Sequence, residues 1–169
     1  MPGNSTAPPE RPLLNATLAG AMNGAVPNIT MNWFVAGMPG STSTDLTNLA
    51  VTGFSGGLGG GFLAVLTYQR KAREKAALAP AATTKPPLAV RSALFSGLLC
   101  GLIGALCTVL VGHTLVGMPD SEMVNIAQHA VGGIVTGAFG GFVGLVMHLR
   151  RASVMPRLDA ADLQGKESA

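Results

Sequence analysis

The chain has 169 residues, of which 48% are hydrophobic, 11% are charged and 23 are glycine, with a net charge of +3. A soluble domain carries about 25% charged residues, so this composition, with a mean hydropathy of +0.42, argues against both a water-facing globule and a disordered polar chain. The few cations sit in short clusters without interleaved aromatic rings, which argues against nucleic acid as a partner.

Residues 1–12, MPGNSTAPPERP, hold no basic segment joined to an apolar core and read as a short N-terminal segment, not a secretory leader. Residues 13–36 are uncharged, yet Asn15, Asn23, Asn28, Asn32 and Pro27 make this run marginal on hydropathy alone. After a GMPGS loop, residues 46–68 form an apolar, glycine-rich run long enough to cross about 30 Å of hydrocarbon as a helix. Residues 69–91 are a basic link with Arg70, Lys71, Arg73, Lys75, Lys85 and Arg91. Runs 92–117 and 123–149, joined by a GMPDS loop, are again uncharged and long enough to span. Residues 150–169 open with Arg150 and Arg151 and read as a soluble, poorly ordered tail. Glycine at this density weakens a helix in water. In hydrocarbon the helix persists, because an unmade backbone hydrogen bond finds no water to replace it. Cys100 and Cys107 are seven apart on one helix face, so they cannot bond each other and read as small apolar residues.

An internal repeat settles the marginal first run. Shifted by 80 residues, segment 37–72 lies over 117–152 without a gap and with thirteen identities in thirty-six positions. These include the GMP triplets and the pairs Gly53/Gly133, Gly57/Gly137, Gly61/Gly141, Phe62/Phe142 and Arg70/Arg150. The same shift lays residues 11–36 over 91–116. The first run therefore occupies the place of the apolar span 92–117. The expected fold is an all-α integral membrane protein of four transmembrane helices, built as two tandem parallel helical hairpins (13–68 and 92–149). In each, Pro39 or Pro119 stops the first helix, and Asp45 or Asp120 supplies turn and capping chemistry before the second. Neither GMP loop holds Lys or Arg, so the positive-inside rule places the link and both termini in the cytoplasm and the GMP loops outside.

Gly53, Gly57 and Gly61 are four apart, as are Gly133, Gly137 and Gly141, and Gly97 and Gly101. Residues four apart stack on one helix face. A bare glycine face lets another helix come close, so glycine-zipper packing is expected, either inside the chain or in a homo-oligomer.

These pieces resemble a known family. AGMPGS followed by VTGFSGGLGGGFLAV, and SGLLCGLIGAL, GMPDS and GGIVTGAFGGFVGLV, are similar to the transglycosylase-associated small membrane proteins (the GlsB/YeaQ/YmgE group). Members are usually about half this length and unduplicated, and Asp120 stands where they tend to have Gly. The resemblance implies a bacterial inner-membrane protein of stress-linked role and no catalytic residues.

Two polar features stand apart. His113 and His129 lie eight positions either side of Ser121, with Asp120 and Glu122 between them, and a cation site of imidazole and carboxylate is one reading. The plainer one is interfacial histidines hydrogen-bonded to neighbours or water. The asparagines of the first run either bridge helices or line a wet path. No Ser–His–Asp order, HExxH, paired-cysteine motif or phosphate loop is present, so no enzyme, cofactor or metal is expected. The functional expectation is a non-enzymatic, self-associating inner-membrane protein with the lipid bilayer as its partner. The alternatives are a phage holin-like pore former and a small channel or transporter.

Overall fold

The computed structural model describes residues 11–77 and 90–167, with side chains at 11–74 and 90–151. The expected N-terminal segment up to residue 10, the middle of the basic link (78–89) and residues 168–169 of the tail lie outside the described residues. The elements are α1 (Pro12–Met31), a π-helical turn (Asn32–Ala36), α2 (Thr42–Ala77), α3 (Val90–Val111), a second π-helical turn (Gly112–Val116) and α4 (Glu122–Glu167). Among the described residues there is no strand. Among the described residues three stretches are long and apolar enough to cross a membrane: Thr42–Glu74, Val90–Val116 and Glu122–Arg151. Helix α1, diluted by its asparagines, is not among them.

Pro12 opens α1 within the first turn, where its missing N–H has no intrahelical partner to lose. Both π turns close on a glycine. Gly37 (φ 61°, ψ −158°) and Gly117 (φ 78°, ψ −172°) lie in a region that only glycine enters without strain. Their N–H groups donate to Asn32 O at 3.0 Å and Gly112 O at 2.8 Å. Nothing lies within 4 Å of a Cβ built at either position, so the demand for glycine is one of backbone angle, not space. These glycines, and not the later Pro39 and Pro119, end the first helix of each hairpin.

The next helices are capped by serine. Thr44 N–H donates to Ser41 Oγ at 3.2 Å, and Val124 N–H to Ser121 Oγ at 3.4 Å. Asp45 and Asp120 do not take the capping role expected of them. Asp120 is exposed, and Asp45 is turned into the bundle. Helix α4 also runs on to Glu167, through the segment expected to be poorly ordered. Its Ala, Leu, Gln, Lys and Glu residues favour helix.

Packing follows the glycines. Helices α2 and α4 lie side by side and parallel: Gly57 faces Gly140, Gly60 faces Gly137 and Gly61 faces Gly144. Helix α1 runs antiparallel along α4, with Ala16, Gly20 and Gly24 against Gly141, Gly137 and Gly133. Helix α3 runs antiparallel along α2, with Gly97, Cys100 and Gly104 against Gly61, Gly57 and Gly53. The shift of 80 carries the pairs Gly20–Gly137 and Gly24–Gly133 onto Cys100–Gly57 and Gly104–Gly53. Each hairpin's first helix thus packs more extensively on the second helix of the other copy than on its own partner.

Small residues lie inside the bundle and large apolar ones outside. The buried face of α1 is Ala16, Gly20, Gly24 and Asn28, while Leu14, Leu18, Met22 and Val26 point outward. On α3 a ridge of Leu94, Leu98, Leu102, Leu106 and Leu110 is exposed, Leu106 by 70%. In water such a surface would cost about 25 cal/mol per Å² of apolar area. Against acyl chains it costs nothing, and small residues inside let backbones approach.

Candidate functional site

The GMP-loop end of the bundle is polar inside. The opening turns of α2 and α4 and the end of α1 point polar side chains inward, and burial there is nearly complete: His129 and Asn125 are 0% exposed, Asp45 and Thr52 1%. The cluster begins at the α1 end. Asn28 Nδ2 donates to Gly24 O at 2.7 Å and reaches Thr52 O on α2 at 3.3 Å. Ser55 Oγ donates to Asn28 Oδ1 at 2.9 Å. One turn on, Asn32 Nδ2 donates to Asn28 O at 3.0 Å. The asparagines of the first run therefore bridge helices where Asn28 meets α2, while Asn23 only turns back to Ala19 O at 2.8 Å.

Thr52 ties this network to the second copy, for its Oγ1 lies 2.6 Å from His129 Nδ1. If the hydroxyl donates, Nε2 carries the ring proton; if Nδ1 donates, Nε2 is a bare acceptor. One turn earlier on α4, Asn125 Nδ2 donates to Gly37 O at 2.9 Å and holds the first loop against α4. The shift of 80 places Asp45 at the position equivalent to Asn125. A carboxylate there cannot repeat the amide's donated bond.

Several buried atoms of this cluster have no protein partner: Asp45 Oδ1, Asn32 Oδ1, Asn48 Nδ2, Asn125 Oδ1, both amide atoms of Gln128, and His129 Nε2. An unsatisfied buried polar group costs about 1–3 kcal/mol. Most such atoms lie at this end of a bundle whose helix seams are lined with glycine, with Arg73 Nε at the other end, and they mark a place where polarity is kept against its cost. Carboxylate, amide oxygens and imidazole together accept protons and coordinate small cations.

A groove of about 440 Å³ opens beside this cluster between α3 and α4, walled by Leu49, Val111, Val131 and Val135 with Gln128 at its edge. The internal repeat explains why it lies on this side. Where α1 carries Asn28 and Asn32, α3 carries Thr108 and Gly112, too small to fill the equivalent space.

The residues singled out from sequence fare unevenly. Gly53, Gly57, Gly61, Gly97, Gly101, Gly133, Gly137 and Gly141 all face a neighbouring helix of the same chain. His113, Asp120 and Glu122 are exposed at the loop end, whereas His129 is buried on Thr52. Among the described residues no three His, Cys, Asp or Glu side chains come together as a metal-binding group. Sequence reasoning misses Asn125 and Thr52, and places Asp45 in the turn, not in the buried cluster. The available signal was register: positions 45 and 125 are both polar, as are 48 and 128, in both copies of the repeat.

Compared with protein-family models, curated proteins and solved structures, the chain matches none.

Proposed function

We propose that the chain is a non-enzymatic, four-span protein of the bacterial inner membrane, with both termini cytoplasmic, that works as a small channel or carrier for protons or a small cation. In this reading α1 is the fourth span, held in lipid by its glycine seam with α4 and by Asn28. The observation that carries the proposal is the full burial of Asp45, Asn125 and His129 inside a bundle sheathed in leucine, valine and phenylalanine. Ionisable groups at membrane depth are expensive and mark ion or proton paths. The glycine seams below the cluster close the bundle toward the basic end, as a closed or occluded state requires.

Self-association, which the glycine spacing also suggests, finds those faces covered within the chain. A homo-oligomer would use the leucine ridge of α3 instead. The resemblance to transglycosylase-associated proteins fits the same membrane and adds no residue role.

The test is flux in proteoliposomes carrying a pH-sensitive or cation-sensitive dye. The wild-type chain should dissipate an imposed gradient, and Asp45→Asn and His129→Ala should abolish the effect while Asp120→Asn leaves it. Flux no greater than in protein-free liposomes would defeat the proposal.

A further inference from the structure

At the basic end, opposite the polar cluster, a second cavity of about 170 Å³ lies between α1 and α2, lined by Asn15, Ala19, Ala64, Thr67, Tyr68 and Lys71 among others. Its volume equals that of about six water molecules at ~30 Å³ each. The walls are methyl and methylene groups, and the rim carries an ammonium, a phenol and an amide.

The second copy places a different set of side chains at the equivalent position. The shift of 80 carries Asn15 onto Phe95, Tyr68 onto His148 and Lys71 onto Arg151. There the Arg151 guanidinium lies over the Phe95 ring, 4.6 Å from its centroid, and Ser92 meets His148 Nδ1 at 3.3 Å. Ring and cation satisfy each other. In the first copy Asn15 supplies no ring, so the cavity stays open and Lys71 stands at its rim. The ion pair found among the described residues joins Arg70 to Glu74 at 3.6 Å and does not involve Lys71.

We infer that this crevice between α1 and α2 is a binding site for one anionic phospholipid of the cytoplasmic leaflet, with its phosphate on Lys71 and its glycerol and upper acyl chain against Ala19 and Ala64. The inference rests on the membrane reading and its orientation, but not on transport. Charge complementarity selects the occupant. Arg70, Lys71, Arg73, Arg150 and Arg151 gather at this end with Glu74, which pairs with Arg70, whereas Asp45, Asp120 and Glu122 lie at the other. Basic pockets between helices on the cytoplasmic side suit anionic headgroups.

The test uses the full chain in detergent with equal amounts of phosphatidylglycerol and phosphatidylcholine of identical acyl chains, and counts retained lipids by native mass spectrometry. Wild type should keep one phosphatidylglycerol, preferred about fivefold, the effect of one surface cation. Lys71→Gln should remove the preference, and Asn15→Phe, which copies the ring of the second copy, should remove retention. Arg151→Gln should change neither. Circular dichroism reports whether Asn15→Phe folds; if it does not, Lys71→Gln decides alone. Equal retention of the two lipids by wild type, a preference that survives Lys71→Gln, or displacement of the lipid by millimolar inorganic phosphate would overturn the inference. Failure of the membrane reading would look different: the chain would remain monodisperse without detergent.

Discussion

Replacing Gly137 by alanine adds one methyl group where three helices meet. The new Cβ would fall on the carbonyl of Gly20, with the Gly20 carbonyl carbon 2.9 Å and Gly24 Cα 3.0 Å away. Carbon atoms pack at about 3.5–4.0 Å, so α1 must retreat from α4 by roughly 0.5–1 Å. Backbone atoms cannot rotate aside as a side chain can. A gap of that width forfeits about a quarter to a half of the dispersion energy of each contact it opens, and overpacking costs about 1–3 kcal/mol. Gly137→Ala should therefore lower stability by about 1–3 kcal/mol, and Gly137→Leu should detach α1 from α4. Gly57→Ala, which meets the Cys100 backbone in the symmetry-related seam, should cost a similar amount. The assay is reversible unfolding in mixed micelles followed by helical ellipticity. Gly40→Ala is the control, because nothing lies within 4 Å of its Cβ. A Gly137→Ala transition that coincides with that of Gly40→Ala would refute the packing argument.

Gly117→Ala should lose about 1–3 kcal/mol from backbone strain alone, although its Cβ meets no atom within 4 Å; the same micelle titration, with Gly40→Ala beside it, separates angle from space. Asn28→Ala removes the side-chain bonds to Gly24 O, Thr52 O and Ser55 Oγ. Buried hydrogen bonds in membrane helices average about 0.6 kcal/mol, so a loss of roughly 1–2 kcal/mol is expected, and wild-type stability would show that the bridge contributes nothing. The two cysteines give an internal contrast. Cys100 is buried against Gly57 and Cys107 is exposed. Cys100→Leu should destabilise by about 1–3 kcal/mol while Cys107→Leu is neutral, and equal effects would contradict the packing of α3.

The helical character and the three membrane-capable stretches were legible in composition: few charges, uninterrupted apolar runs and dense glycine. The repeat was legible because Gly57/Gly137 and Gly61/Gly141 kept the close-approach face in both copies. Which helix each face meets was not. A glycine carries no chemistry that names its partner, so the cross-copy pairing of α1 with α4 and α3 with α2 emerges only in three dimensions. The polar site was half legible. Sequence distance from the loop groups His129 with His113. Helical phase instead turns His129 inward and leaves His113 outside. An acid near a helix start usually serves the turn, and position alone assigns Asp45 that role. Ser41 fills that role first, which frees Asp45 to face the bundle. The basic-end cavity was invisible to sequence because it is a difference between copies, Asn15 against Phe95, within the weakly matching part of the repeat.

Reporter fusions after residues 12, 42, 80, 120 and 155 probe whether lipid surrounds four spans. Activity is expected inside, outside, inside, outside and inside in that order. A reporter at residue 12 on the outer face would leave only α2, α3 and α4 in the bilayer, and would remove the partner against which Gly133, Gly137 and Gly141 are packed.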